Sequence, residues 1–310
     1  MNKEAILNLV KQHLAAGLFP GASLSLYQEG QWQDFYLGLA DPERNLASQP
    51  GLVYDLASVS KVVGVGHLML DLLGHGLFEM DQALAELYPP MLQKEVTLRQ
   101  LLTHTSGLDP FIPHRDELDA AGLKRALENL SLREDRDFHY TDVNFLLLGF
   151  FLEHYYDQNL DQLFEDKIFA PWGMSDTRFG PIGQAVPTVR GQQVGLVHDP
   201  KARVLGRHAG SAGLFSTVKD LQIFLQHYLT DDFAAILPRN YAISSNKTRS
   251  LAWNLEGDWL DHTGYTGTFI MFNRTRQEAA IFLSNRIYER DERAYWIAKR
   301  NEIMDLIRTS

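Results

Sequence analysis

The period of the hydrophobic positions changes along the chain. Near the N-terminus, Ile6, Leu7, Val10 and Leu14 recur at helical spacing, with Asn8, Lys11 and Gln12 among them. That pattern predicts an amphipathic helix. Gly17 and Pro20-Gly21 then mark a turn. "ASLSLYQ" and "QDFYLGLA" alternate around "EGQW", which predicts a β-hairpin. From about 55 to 230 the signals are mostly helical and are interrupted by long loops. "VTLRQLLTHTSG" carries a capping pattern, Thr97 with Gln100, and Gly107 follows its expected end. "YTDVNFLLLGFFLEHYY" and "TVKDLQIFLQHYL" predict two more helices. Residues 171–209 between them are rich in Gly and Pro and predict a long loop that crosses or walls a site.

The C-terminal region changes character. "SLAWNL", "TGTFIMFN" and "AAIFLSNR" predict strands, with a turn at "RTRQE" and a final helix in "ERAYWIAKRNEIMDLIRTS". Strands and terminal helices therefore come from both chain ends. The expected fold is α/β (α+β), with 1–56 and 233–310 together forming one sheet lobe. A mostly helical lobe, 57–232, is inserted between them, and the active site is expected at the junction.

Composition narrows the function. The 310 residues carry a formal charge of −10 and no basic stripe, so nucleic acid is an unsuitable partner. The absence of cysteine excludes disulfides and thiolate metal sites. The most apolar run, "FLLLGFFL" at 145–152, is far too short to span a membrane, and the first helix lacks the apolar core of a signal peptide. The expectation is a soluble cytoplasmic protein. Eleven histidines raise the question of a metal, but no His-Glu-x-x-His or comparable ligand pattern occurs, and "VHDP" at 197–200 has no matching ligands. Neither a metal nor a cofactor is expected. Lys247, Arg249 and the charges at 289–293 read most simply as solvated surface.

Chemistry concentrates in a few short stretches. In "DLASVSKVVGVG", a helix starting near Asp55–Ala57 would set Ser58 and Lys61 one turn apart on one face. Ser58 would then lie where free N–H groups and the positive dipole end collect, an environment for a nucleophile whose substrate develops an oxyanion. Ser60 would face elsewhere. Gly64 and Gly66 each cost about 1 kcal/mol inside a helix, which predicts close approach by another backbone. Tyr140 and Asp142 precede an apolar helix; they read equally as a packed aromatic and a helix cap. His262-Thr263-Gly264 enters a strand, where glycine marks either close approach or a bulge.

Taken in order, these stretches resemble the serine β-lactamase and penicillin-binding-protein family, in the class C β-lactamase branch with its esterases and DD-peptidases. The features are Ser-x-x-Lys near 60, "LLTHTSGL" at 101–108, Tyr-x-Asp near 140, "AGLFST" at 212–217 and His-Thr-Gly at 262–264. "IFAPWGMSDTRF" and "FLSNR" add to the likeness. The resemblance implies a β-lactamase/transpeptidase-like fold, with Ser58 as the acylated nucleophile, Lys61 as its partner and Tyr140 as a proton relay. It further implies an oxyanion hole made by the N–H groups of Ser58 and Tyr265, with His262, Thr263 and Gly264 on the strand edging the site.

Two positions depart from the family pattern. Asp142 stands where it has Asn. At about 4 Å and an effective dielectric near 20, Asp142 would attract the Lys61 cation by about 4 kcal/mol, or about 3 pK units. A lysine held as a cation cannot be the base, which favours Tyr140. His262 stands where the family has Lys, which in the β-lactamases and carboxypeptidases helps to attract a substrate carboxylate. Histidine is mostly neutral near pH 7, so uncharged esters or amides are favoured. Three readings follow: a small ester or amide hydrolase working through an acyl-enzyme, a DD-carboxypeptidase or β-lactamase, and a non-hydrolytic binding or sensor protein. The partner in the first two is a small-molecule ester, amide or peptide-like substrate.

Overall fold

Asn2 accepts a bond from the Ala5 N–H and opens α1 (Lys3–Ala15), whose Ile6 and Val10 are buried. The chain then forms the expected hairpin, β1 (Gly21–Gln28) and β2 (Gln31–Asp41), followed by β3 (Leu46–Ala47) and β4 (Tyr54–Asp55). In this computed structural model the described residues are 1–243 and 247–310.

A continuous helical run, α2 (Ala57–Gly74), comes next. It opens in a 3₁₀ turn at Ala57–Val59, passes through a π-helical turn at Val62–Gly66 and ends as regular α-helix. By length and apolar composition this run could cross a membrane, but 78% of it is buried within the fold, as in the central helix of a packed core. The short α3 (Leu84–Leu87) and α4 (Leu98–Leu102) follow. Thr97 and Gln100 close a reciprocal capping box on α4, as its sequence predicts. That helix stops at Leu102, five residues before Gly107, because His104 turns the chain with a φ of 57°.

The middle of the chain continues with α5 (Ala120–Glu128), the mostly apolar α6 (Val143–Tyr156), α7 (Leu160–Phe164), α8 (Ala170–Trp172) and β5 (Arg178–Phe179). Then come α9 (Pro200–Leu205), β6 (Leu214–Ser216) and α10 (Val218–Thr230), the last capped by Thr217. The long segment 171–209 thus holds short elements of its own. The chain finishes with β7 (Asn254–Glu256), β8 (Trp259–Thr263), β9 (Phe269–Asn273), β10 (Glu278–Ser284) and α11 (Arg293–Thr309). "SLAWNL" becomes strand only from Asn254; Leu251, Ala252 and Trp253 are buried in the approach to it.

Seven strands form one antiparallel sheet in the order β3-β2-β1-β10-β9-β8-β7. Its centre joins the two chain ends, with Ala22 opposite Ser284 and Tyr27 opposite Ala279. A second sheet, β4-β6-β5, lies beside α2. On one face of the large sheet, α1 and α11 bury Ile6, Phe19, Leu24, Phe282, Trp296 and Ile303 together. The other face shares the larger core with α2, α6 and α10.

Two readings of single residues need correction. Gly64 and Gly66 do permit close approach, but not by another segment's backbone: the Phe164 ring covers Gly64, and the Lys61 carbonyl of the same helix and the Ala252 methyl cover Gly66. Arg249 is not on the surface. It is fully buried, donates to Asn254 and to the Ala252 carbonyl at 3.2 Å, and lies under the Phe138 ring. Its isolated position in the sequence gave no sign of the ring and amide that cover it.

Gly64→Val should force its side chain into the Phe164 ring. The expected cost is about 1–3 kcal/mol, read as a lower urea midpoint with an unchanged slope. An unchanged midpoint would show that Phe164 can yield at no cost.

Candidate active site

Ser58 occupies the first turn of α2, and the residue before it is strained. Ala57 has a φ of 46°, in the left-handed region that a residue with a Cβ rarely adopts. Asp55 holds that turn. One of its oxygens accepts from the Ala57 N–H at 2.8 Å and the other from the His198 N–H at 2.8 Å. Burial pushes the Asp55 carboxyl up to about 6, and these two backbone bonds oppose the rise. Ser58 itself stays partly accessible while its neighbours are buried.

Lys61 lies one turn on and is completely buried. Its ammonium donates to Ser58 Oγ at 2.8 Å, to Asp142 Oδ1 at 2.7 Å and to the Ser211 carbonyl at 2.9 Å. Three donors thus meet three acceptors. Burial acts to lower its pKa, but the nearby Asp142, with its hydrogen bond, and Tyr140 outweigh that and raise it well above the ordinary lysine value. Lys61 is a cation here. Ser60 faces away, accepting the Leu214 N–H at 3.2 Å.

Asp142 ends the segment that leads into α6, and its carboxylate does not cap that helix. Its second oxygen receives Lys201 Nζ at 3.0 Å. Burial acts to raise the Asp142 carboxyl, but the two ammonium groups prevail and hold it well below the usual carboxylate range. Lys201, on α9, was not singled out in the sequence; it sits inside the Gly- and Pro-rich stretch, where no period marks it.

Tyr140 is 41% exposed, with the Lys61 ammonium 5.3 Å from its ring centroid. The ring leans on His104 at 4.5 Å and on His262 at 6.2 Å. The "LLTHTSGL" loop places this segment. The His104 carbonyl accepts the His139 N–H at 2.9 Å, and its Nδ1 lies 3.1 Å from the Asn144 amide. Ser106 Oγ donates to Asn144 Oδ1 at 2.7 Å.

His262 is buried near the end of β8, and neither ring nitrogen has a partner among the described residues. Burial first, then the cations Lys61 and Arg249, hold its pKa well below 6.5, so the ring is neutral. Gly264 lies just past the strand. A Cβ there would strike the Leu56 carbonyl and Thr268 Oγ1, so the close approach is to the chain's own backbone. Thr266 donates to the Asp55 carbonyl at 2.7 Å and Thr268 to the Leu56 carbonyl at 3.0 Å. These bonds clamp the turn carrying Tyr265 onto the start of α2. Arg286 fixes the Tyr265 carbonyl with two donors at 2.7 and 3.1 Å, and His198 stacks on the Tyr265 ring. The structure therefore gathers Ser58, Lys61, Tyr140, Asp142 and His262 at one point, with Thr263, Gly264 and Tyr265 along its edge. Among the described residues, no group of three or more His, Asp or Glu side chains could hold a metal ion.

The arrangement matches known proteins over almost its whole length. The β-lactamase family model matches residues 6–303, and the chain belongs to that family of serine hydrolases. A putative D-alanyl-D-alanine carboxypeptidase of Escherichia coli (strain K12) is 26% identical, the match covering 81% of this chain and 73% of that protein. Among solved structures, a β-lactamase from Sulfitobacter sp. EE-36 superposes with a TM-score of 0.78 at 19% identity, covering 100% of both chains. EstCE1, a hydrolase with promiscuous acyltransferase activity, superposes with a TM-score of 0.79 at 16% identity, covering 97% of both chains.

The lowered Asp142 pKa has a consequence for stability. A carboxyl depressed in the fold contributes stability above its unfolded value, near 3.8, and loses it as pH falls through the folded value. Asp142→Asn also strands a buried ammonium, at a cost of about 3–5 kcal/mol near pH 7. The gap between wild type and Asp142→Asn should therefore stay level from pH 7 to about 5 and narrow as urea melts are carried through and below the unfolded value near 3.8. A gap independent of pH would mean that the carboxylate charge is not what holds Lys61.

Proposed function

We propose that this β-lactamase-family hydrolase cleaves small, uncharged esters or amides through an acyl-enzyme on Ser58. The observation that carries the reading is His262: a buried, neutral ring at the strand position where the family pattern has a lysine. Most cations nearby are already matched to protein carboxylates, Lys61 and Lys201 to Asp142 and Arg286 to Asp291.

In this mechanism Ser58 Oγ attacks the substrate carbonyl carbon and passes its proton to the Tyr140 phenolate. Lys61, unable to act as a base while it is a cation, donates to Ser58 Oγ and faces Tyr140 with its charge. The N–H groups of Ser58 and Tyr265 receive the developing oxyanion; losing one such donor typically costs about 3–4 kcal/mol of barrier. Tyr140 returns the proton to the leaving alcohol or amine as the tetrahedral intermediate collapses. Water then attacks the acyl-enzyme, again giving its proton to Tyr140, and Ser58 departs with that proton as the acid is released.

Arg249 favours a second reading. Its buried guanidinium bonds an amide and a carbonyl, and Tyr140 and Asp261 act on it only through space. Drawn toward the site, it would be a receptor for a C-terminal carboxylate, as a carboxypeptidase requires. The putative carboxypeptidase relatives are consistent with that.

Mass spectrometry after fluorophosphonate treatment should place one adduct on Ser58; an adduct on Ser60, Ser106 or Ser211 would overturn the assignment. Tyr140→Phe should lower kcat for a nitrophenyl ester by about 100-fold, and an unchanged rate would remove Tyr140 from the mechanism.

Wild type should turn over a neutral nitrophenyl ester in preference to a D-Ala-D-Ala peptide. The reverse preference, abolished by Arg249→Met, would establish the carboxypeptidase reading instead.

A further inference from the structure

Asp142 is bound by two ammonium groups, one from α2 and one from α9. Lys61 and Asp142 alone would form a pair with no net charge, directed at Ser58 and Tyr140. A neutral pair gives little support to negative charge forming on the phenol. Lys201 changes the sum, because two cations and one carboxylate leave the trio at +1.

The geometry makes this more than a surface contact. Lys201 Nζ lies 3.0 Å from Asp142 Oδ2, and the lysine side chain is only 15% exposed. Its alternative partner, Asp199, is 3.9 Å away and uses its other oxygen to cap α9 through the Ala202 N–H at 2.8 Å. Pro200 at the first position of α9 and the Asp199 cap fix where that short helix starts, and so where Lys201 points. Asp142 is thus held at both oxygens and cannot rotate to engage Lys61 twice. The other charged or titratable groups around Tyr140 are Lys61, His104, His262 and Arg249; both histidines are neutral by burial.

We propose that Lys201 is a positioning residue: it offsets the charge of Asp142, so that Lys61 presents uncancelled positive charge to Tyr140 and Ser58. The proposal rests on the hydrolase reading above for its kinetic consequence, but its electrostatic consequence stands alone. An Asn at 142 would carry no charge and need no offset. The aspartate and the lysine therefore form a compensating pair.

The test uses Lys201→Met, Lys201→Arg and the double variant Lys201→Met/Asp142→Asn. Lys201→Met keeps the stem and removes the charge, taking the trio from +1 to zero. Its kcat/KM for a nitrophenyl ester should fall about tenfold, and the acidic limb of the pH–rate profile should move up by about one pH unit. Lys201→Arg should keep the wild-type profile. The double variant returns the local charge to +1, so its limb should move back down. Ultraviolet titration, read as the difference from the same protein carrying Tyr140→Phe, should show the same upward and return shifts of the Tyr140 phenol without any turnover. An unmoved limb and phenol titration in a folded Lys201→Met protein would overturn the proposal. So would a double variant displaced as far as the single one, which would mark Lys201 as packing only. If no ester is hydrolysed yet the phenol titration shifts and returns, Lys201 keeps its role and the hydrolase reading fails.

Discussion

A fully buried ammonium is the constraint around which this molecule is organised. Lys61 has no water to solvate it, so the fold must bring it acceptors from distant parts of the chain. Ser58 comes from the same helical turn, Asp142 from the lead into α6, and the Ser211 carbonyl from the approach to β6. Displacing any of these leaves a charged donor stranded. The helical lobe is therefore tied to its central helix by an electrostatic need as well as by apolar contact. The same need fixes the protonation state: a lysine surrounded by acceptors remains a cation.

The second organising feature is the clamp at the start of α2. Ala57 sits in a strained conformation that its surroundings must enforce. Asp55 supplies one restraint through Ala57 and His198, and the threonines at 266 and 268 supply others from the sheet side. Thus the turn after β8 and the first turn of α2 are fixed relative to one another, although more than 200 residues separate them in sequence. Arg286 adds to this by holding the Tyr265 carbonyl, which sets the direction of the peptide units around it. Rigid placement of this kind is what a reaction with a developing oxyanion requires.

Most charged groups around the site are paired, but their sum is positive. Asp142 is shared between two lysines, Arg286 is matched to Asp291, and the histidines at 104 and 262 are neutral because they are buried beside cations. Arg249 is the exception, bonded to an amide and a carbonyl. At the strand edge His262, buried and neutral, adds no charge to the site.

The sequence by itself determined the local elements and the chemistry that local spacing can carry. Alternation in "ASLSLYQ" and the capping pair Thr97 and Gln100 depend only on near neighbours, and both appear in the fold as read. Ser58 and Lys61 are one helical turn apart, so their contact was legible, and the order of the motifs marked Tyr140, Asp142 and His262. Only the tertiary structure decided what depends on long-range packing. Lys201 lies in a segment without period, and its meeting with Asp142 follows from where α9 docks. Arg249 read as surface because its covering groups, Phe138 and Asn254, are brought together by the fold. Gly64 announced a close approach, but a missing side chain cannot say what fills its space, and Phe164 does. A residue's type records the chemistry it can perform; its burial and its partners are set by segments remote in sequence, and those decide its charge.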